Sequence, residues 1–138
     1  MDEKILRFDE VRNALLSKFP EVQDWATRNF GANYNLDEDA PEQYPLFEGV
    51  VKKMLFDLLL EEPANVPLLR HLFDFFETMA SSSDRDVGDL LGISILEPLV
   101  YNRKSARRAL EYMGPKMQEL TTSEARRQHD LLSDLPDC

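Results

Sequence analysis

Apolar side chains recur along this chain at intervals of three and four residues, and no segment sustains the period-two alternation of a half-buried strand. The pattern predicts a first helix from about Asp2 to Phe19. Ile5, Phe8, Val11, Leu15, Leu16 and Phe19 fall within an arc of about 140° when residues advance by about 100°. Asp2 and Glu3 suit its N-terminus, and Pro20 closes it. Pro20 also suits the first turn of a short second helix that runs through Val22, Trp25 and Phe30 to a stop at Gly31. Residues 31–45 (GANYNLDEDAPEQYP) lack helical periodicity and predict a long acidic loop, of a length at which connections tend to be functional or mobile.

A third helix is expected from about Pro45 to Glu61. Leu46, Phe47, Val50, Val51, Met54, Leu55 and Leu58 form its main face, with Phe56 and Leu60 on the other side. The fourth, Pro67 to Ala80, has the cleanest pattern: Leu68, Leu69, Leu72, Phe73, Phe75, Phe76, Met79 and Ala80 occupy an arc of about 160°. Ser83 and Asp86 have capping-box spacing and open a fifth helix near 84–100. Its apolar residues point nearly all round, which predicts a central buried helix that Pro98 kinks or ends. Gly88 and Gly92, one turn apart, would let a neighbouring backbone come close. A sixth helix, Arg103 to Met113, stops at Gly114-Pro115. Thr121 and Glu124 cap a last, polar helix, and residues 133–138 are expected to fray. The fold class that follows is all-α: one domain, 1–138, a bundle of about six to seven helices around the buried helix near 84–100. The helix pairs look helical-repeat-like, but the two halves lack the self-similarity of a true repeat.

Composition agrees with helix. Leu outnumbers Ile and Val together by 21 to 10, and branched Cβ atoms suit strands better. Sixteen Lys and Arg against 26 Asp and Glu leave a charge of −10, which argues against general binding to nucleic acid or to an anionic membrane. The imbalance is local. Residues 1–100 carry 9 basic and 20 acidic side chains, and residues 101–138 carry 7 and 6. No run approaches the roughly 18 apolar residues of a membrane span. No signal-peptide core follows Met1-Asp2-Glu3-Lys4, and the one cysteine, Cys138, cannot form an internal disulfide, so a cytoplasmic location is expected.

Chemistry is sparse. Asp37, Asp39 and Glu48 fall at the first, third and twelfth positions of an EF-hand loop. Glu42 stands where that loop requires Gly, however, and Pro41 and Pro45 cannot ligate, so calcium is rejected. His71 and His129 are isolated, which argues against zinc, and no metal or cofactor is expected. Glu97 is the one carboxylate on the buried helix. It reads as half of a structural ion pair, with an Arg of the sixth helix as the natural partner, rather than as a general acid or base. Arg103, Lys104, Arg107 and Arg108 form a basic face without interleaved aromatics, and neutralising acidic neighbours suits it better than nucleic acid. No phosphate-binding, nucleophile-elbow or zinc-protease motif occurs, and no enzymatic activity is expected. The acidic loop is the candidate partner-binding site. Asp37, Glu38, Asp39 and Glu42 lie between Tyr34 and Tyr44, joining carboxylates that steer a basic partner to rings that give contact area at low entropic cost.

Ile93-Ser94-Ile95-Leu96-Glu97-Pro98-Leu99 and Tyr112-Met113-Gly114-Pro115-Lys116 resemble motifs of a family of small helical bacterial domains of uncharacterised function. Some members of that family look like immunity proteins of polymorphic-toxin or contact-dependent inhibition systems. The resemblance covers about Leu46 to Leu120 and transfers no binding residue. It implies an intracellular inhibitor that neutralises one cognate toxin, and a nuclease toxin with a basic cleft would suit an acidic inhibitor. The alternative expectation is a helical adaptor or scaffold that self-associates through the stripe of Phe56 and Leu60.

Overall fold

The computed structural model describes the backbone of residues 6–133 and the side chains of 6–129. Among them the chain forms helices throughout and no strand, the all-α class that its periodicity predicts. The expected start at Asp2 and the tail beyond Ser133 lie outside the described residues. Helix α1 spans Phe8–Lys18. Residues 6 and 7 are not helical, because the connection at residues 81–84 holds them: Ser82 Oγ donates to Leu6 O at 2.6 Å, and Phe8 N–H donates to Asp84 Oδ2 at 2.8 Å. Helix α2, Glu21–Phe30, ends as expected at Gly31, whose φ of 115° suits glycine alone.

The segment 31–45 departs from the expected loop. It contains a short helix, α3 (Leu36–Asp39), and its Leu36 and Ala40 are buried in the core. Periodicity misses so short a helix, since one turn shows no repeat.

Helix α4 covers residues 43–60 as Gln43–Leu46, a wide π turn Phe47–Val51, and Lys52–Leu60. Its buried residues come in pairs four apart, 46/47, 50/51, 54/55 and 58/59. Three α-turns hold about 11 residues. The π turn, in which Lys52 N–H bonds to Phe47 O, absorbs the extra residue and keeps every pair facing the core. Helix α5 is Val66–Ala80, with Leu69, Leu72, Phe73, Phe75, Phe76 and Met79 buried as its pattern predicts.

Helix α6, residues 85–101, uses the same device: Arg85–Leu91, a π turn Gly92–Leu96, and Glu97–Tyr101. The sequence reads this helix as apolar all round and buried. The structure corrects that, since Ile93 is 49% exposed and Glu97 and Pro98 are only partly buried. Val87, Leu90 and Leu91 before the turn, Ile95 and Leu96 within it and Leu99 after it form one continuous stripe once a single residue is taken out of register. Pro98 neither ends nor breaks the helix. It sits just past the π turn, where the register has already shifted and its missing N–H is tolerated. The π turns of α4 and α6 pack against each other in the core.

Helix α7 is Arg103–Ala109 with a 3₁₀ turn at Leu110–Tyr112, and α8 is Pro115–Ser133. The sequence starts the last helix at Thr121, six residues late, because its true cap is remote in sequence. Glu77 of α5 accepts from Lys116 N–H at 2.8 Å and Met117 N–H at 2.9 Å, satisfying two donors that α8 cannot satisfy itself. Pro115 occupies the first turn, where no N–H is needed.

Two glycines test this account in opposite directions. A Cβ at Gly88 or Gly92 meets nothing within 4 Å, so the expected close backbone approach does not occur. Gly88→Ala, in an exposed helical position, should raise stability by about 0.5–1 kcal/mol in urea denaturation. A Cβ at Gly114 lies 2.7 Å from Glu77 Cδ and Oε1. Gly114→Ala should displace the cap and lower stability by roughly 1 kcal/mol. The opposite order of the two variants would refute both assignments.

Candidate functional site

The acidic segment is held from below by one arginine. Arg12 of α1, its side chain 14% exposed, donates from Nη2 to Leu36 O at 2.9 Å and from Nε to Ala40 O at 3.2 Å. It thereby reaches both ends of α3, the carbonyl of its first residue and that of its C-cap, and pairs with Asp37 at 3.1 Å. Gln23 of α2 adds a second tether, donating to Tyr34 O at 3.0 Å, and Gln43 donates to Phe8 O at 2.7 Å. These bonds fix the backbone while the carboxylates of Glu38 and Glu42 stay exposed. Asp37 and Asp39 are exposed too, but each has a structural duty: Asp37 pairs with Arg12, and Asp39 Oδ2 accepts from Asn35 N–H at 2.8 Å.

The two tyrosines are half-buried and lie in different surroundings. Tyr34 packs on Phe30, ring centroids 4.9 Å apart, and Phe30 meets Trp25 edge-on at 5.4 Å. Phe30 is 41% exposed with the Lys53 ammonium 5.5 Å from its ring, so this corner carries an accessible aromatic ridge. Tyr44 packs on Phe8 at 6.2 Å. Burial first, and then the charges of Asp89, Glu48 and Asp86, push its phenol above the ordinary value. Burial and then Asp39 do the same for Tyr34. Tyr44 thus reveals a carboxylate cluster that joins the 31–45 segment to the first turns of α6. Sequence reasoning left Asp86 and Asp89 out of the site because it read α6 as buried on all sides, and it weighed Glu48 of α4 only as a calcium ligand. The signal was present, since Asp86 and Asp89 lie three residues apart, off the Val87, Leu90 and Leu91 stripe.

The remaining candidates fall elsewhere. Glu97 is 40% exposed, and its partner is Arg127 of α8, at 2.8 Å, rather than an arginine of α7. Arg127 also pairs with Glu124 at 2.6 Å. The π turn swings Glu97 out of the core toward α8, which sequence periodicity could not foresee. Within the basic group, Arg108 does bind neighbours, donating to Leu59 O at 2.8 Å and Glu62 Oε1 at 3.1 Å. Arg103, Lys104 and Arg107 are exposed and make no ion pair among the described residues. His71 stacks on Phe19 at 4.3 Å, and His129 lines a surface groove with Tyr101. Among the described residues no three His, Cys, Asp or Glu side chains converge as ligands of one metal ion. No helix there is long and apolar enough to cross a membrane.

The raised phenols give a direct test of the carboxylate cluster. A phenol whose folded value exceeds its unfolded one stabilises the fold below the ordinary 10.0, and that contribution is lost as pH rises through the folded value. Ultraviolet titration should place Tyr44 and Tyr34 above 10.0. Asp86→Asn with Asp89→Asn should lower Tyr44 and leave Tyr34 in place. Equal movement of both would dissolve the cluster.

No curated protein and no solved structure matches the chain. A family of domains of unknown function does, over residues 12–129, a span that begins at the arginine holding the acidic segment and ends at the histidine beside Tyr101. By that match the chain belongs to the DUF7674 family.

Proposed function

We propose that this protein is a non-enzymatic binding module that neutralises a basic protein partner through its acidic face, as an immunity protein neutralises a nuclease toxin. The observation that carries the reading is the pinned acidic edge. Arg12 and Gln23 hold the backbone of 34–40 before any partner arrives, so little ordering entropy opposes docking. On this edge Glu38 and Glu42 stand free of structural duties, and Glu48, Asp86 and Asp89 extend the charge around Tyr44. Phe30 and Tyr34 provide an aromatic ridge for contact area at the other end. A basic cleft of the kind that holds phosphate would meet complementary charge along this whole edge, which favours fast association. Pairing of Glu97 with Arg127 at a partly exposed site supports a structural role for that carboxylate over acid–base chemistry. A cytoplasmic site of action suits an inhibitor that meets its toxin inside the cell.

The test separates charge from folding. Asp37 and Asp39 are left intact, since reversing them would disturb Arg12 and Asn35. The tagged protein should retain a basic partner from lysate of its own source at low salt and release it at high salt. Glu38→Lys with Glu42→Lys, and separately Asp86→Lys with Asp89→Lys, should slow association with that partner by about tenfold or more. Thermal midpoints should stay near the parent value. An acidic partner, or rates indifferent to both pairs, would end this reading. Recovery of the protein alone as a defined oligomer, broken by Phe56→Asp in a folded variant, would support the scaffold instead.

A further inference from the structure

The strongest feature that this reading leaves unused lies on the part of the chain whose charge has the opposite sign. Tyr101, the last residue of α6, is 78% exposed, more than any other large apolar side chain described. Asn102 follows it with φ −95° and ψ 90° and caps α7 by accepting from Ser105 N–H at 3.2 Å, so the chain turns a corner with Tyr101 at its apex. Helix α8 is held against this corner by Gln128, which donates to Glu97 O at 2.9 Å and is itself steadied within α8 by Glu124 Oε2 at 3.0 Å.

A groove lies on each side of the ring. One, of about 610 Å³, has Phe56, Pro98 and Tyr101 as its apolar wall and the paired Glu97 and Arg127 at its rim. The other, of about 780 Å³, runs over Val100, Ala106, Leu110 and Ala125. Leu110 is 48% exposed there. Arg103 and Arg107, one helical turn apart and without an ion pair among the described residues, stand on the wall of this second groove. Residues 101–138 carry 7 basic and 6 acidic side chains, against 9 and 20 in residues 1–100. This part of the chain lacks the excess of carboxylates that suits a basic partner.

We propose that the two grooves flanking Tyr101 dock an acidic, amphipathic peptide segment of a second protein partner. Apolar side chains of the segment enter the grooves on either side of the ring, and a carboxylate meets the guanidinium groups of Arg103 and Arg107. The choice of occupant follows from charge and floor together. An anionic group satisfies two arginines that have no ion pair among the described residues, and only a ligand with apolar side chains fills the surfaces of Phe56, Pro98, Leu110 and Ala125. A phosphate backbone would answer the charge and leave those surfaces wet. The inference is independent of the acidic-face reading and gives the molecule two docking surfaces of opposite sign.

Selection of a random peptide library against the whole chain supplies the probe. Enriched peptides should combine at least two large apolar residues with Asp or Glu. Their affinity, read by fluorescence anisotropy, should fall about tenfold or more in Tyr101→Ser and in Arg103→Glu with Arg107→Glu. It should hold in Glu38→Lys with Glu42→Lys, the pair that removes the acidic edge. All these positions are exposed, so unchanged circular dichroism melts are expected and guard against trivial loss of fold. Peptides rich in Lys or Arg, binding that survives Tyr101→Ser, or no enrichment over a blank surface would each overturn the proposal. So would concentration-dependent sedimentation of the protein alone that Tyr101→Ser abolishes, since the occupant would then be a second copy.

Discussion

A helix cannot hydrogen-bond its own ends, and this molecule answers that constraint with side chains sent from other helices. Eight helices packed into the described residues create many orphaned N–H and C=O groups. Asp84 caps the start of α1, Glu77 caps the start of α8, Arg12 closes the end of α3, and Arg108 reaches Leu59 O near the end of α4. Each of these bonds spans 24 to 76 residues of sequence. Local caps remain at the starts of α3, α5, α6 and α7, where Asn35, Asn65, Asp84 and Asn102 accept from the first turn, and the other ends named here are defined by the assembled fold. Loss of one such cap frees a terminus and also loosens the helix that supplied it, which ties local fraying to the global packing.

The same constraint decides what could be read beforehand. Helix α5 was legible almost residue by residue, because its stripe of Leu69, Leu72, Phe73, Phe76 and Met79 is uninterrupted and α-helical throughout. The end of α2 at Gly31 was legible because one residue type suits that backbone. The start of α8 was not, since Glu77 is 39 residues from the N–H it caps. The partner of Glu97 was not, since its direction depends on a π turn that a constant step of about 100° cannot represent. Within the candidate site, the acidic residues and both tyrosines could be named from composition. What composition could not say is that Asp37 and Asp39 are spent on structure while Glu38 and Glu42 are free, or that Asp86 and Asp89 of a distant helix join them around Tyr44.

Charge is sorted along the fold as well as along the chain. The N-terminal helices hold their carboxylates on a backbone fixed by Arg12, and the corner formed by α6, α7 and α8 carries exposed arginines, without an ion pair among the described residues, beside an exposed aromatic ring. A dipolar arrangement of this kind orients an approaching charged molecule before contact, and does so more strongly at low salt. On the docking proposal made above, a chain of charge −10 still offers one surface suited to an acidic segment.

The π turn in α6 has one more consequence. It acts as a phase shifter: a single additional residue advances everything downstream by about 100° around the helix axis. Without it the apolar stripe that begins at Val87 would wind off the core before Leu99, and Tyr101 would face a different neighbour. The azimuth of the exposed ring is thus written five to nine residues upstream of it, in a turn that packs on the matching turn of α4. A change of chain length at either turn would re-aim surface residues that it never touches, so insertions and deletions are the class of variation to which this surface is most sensitive.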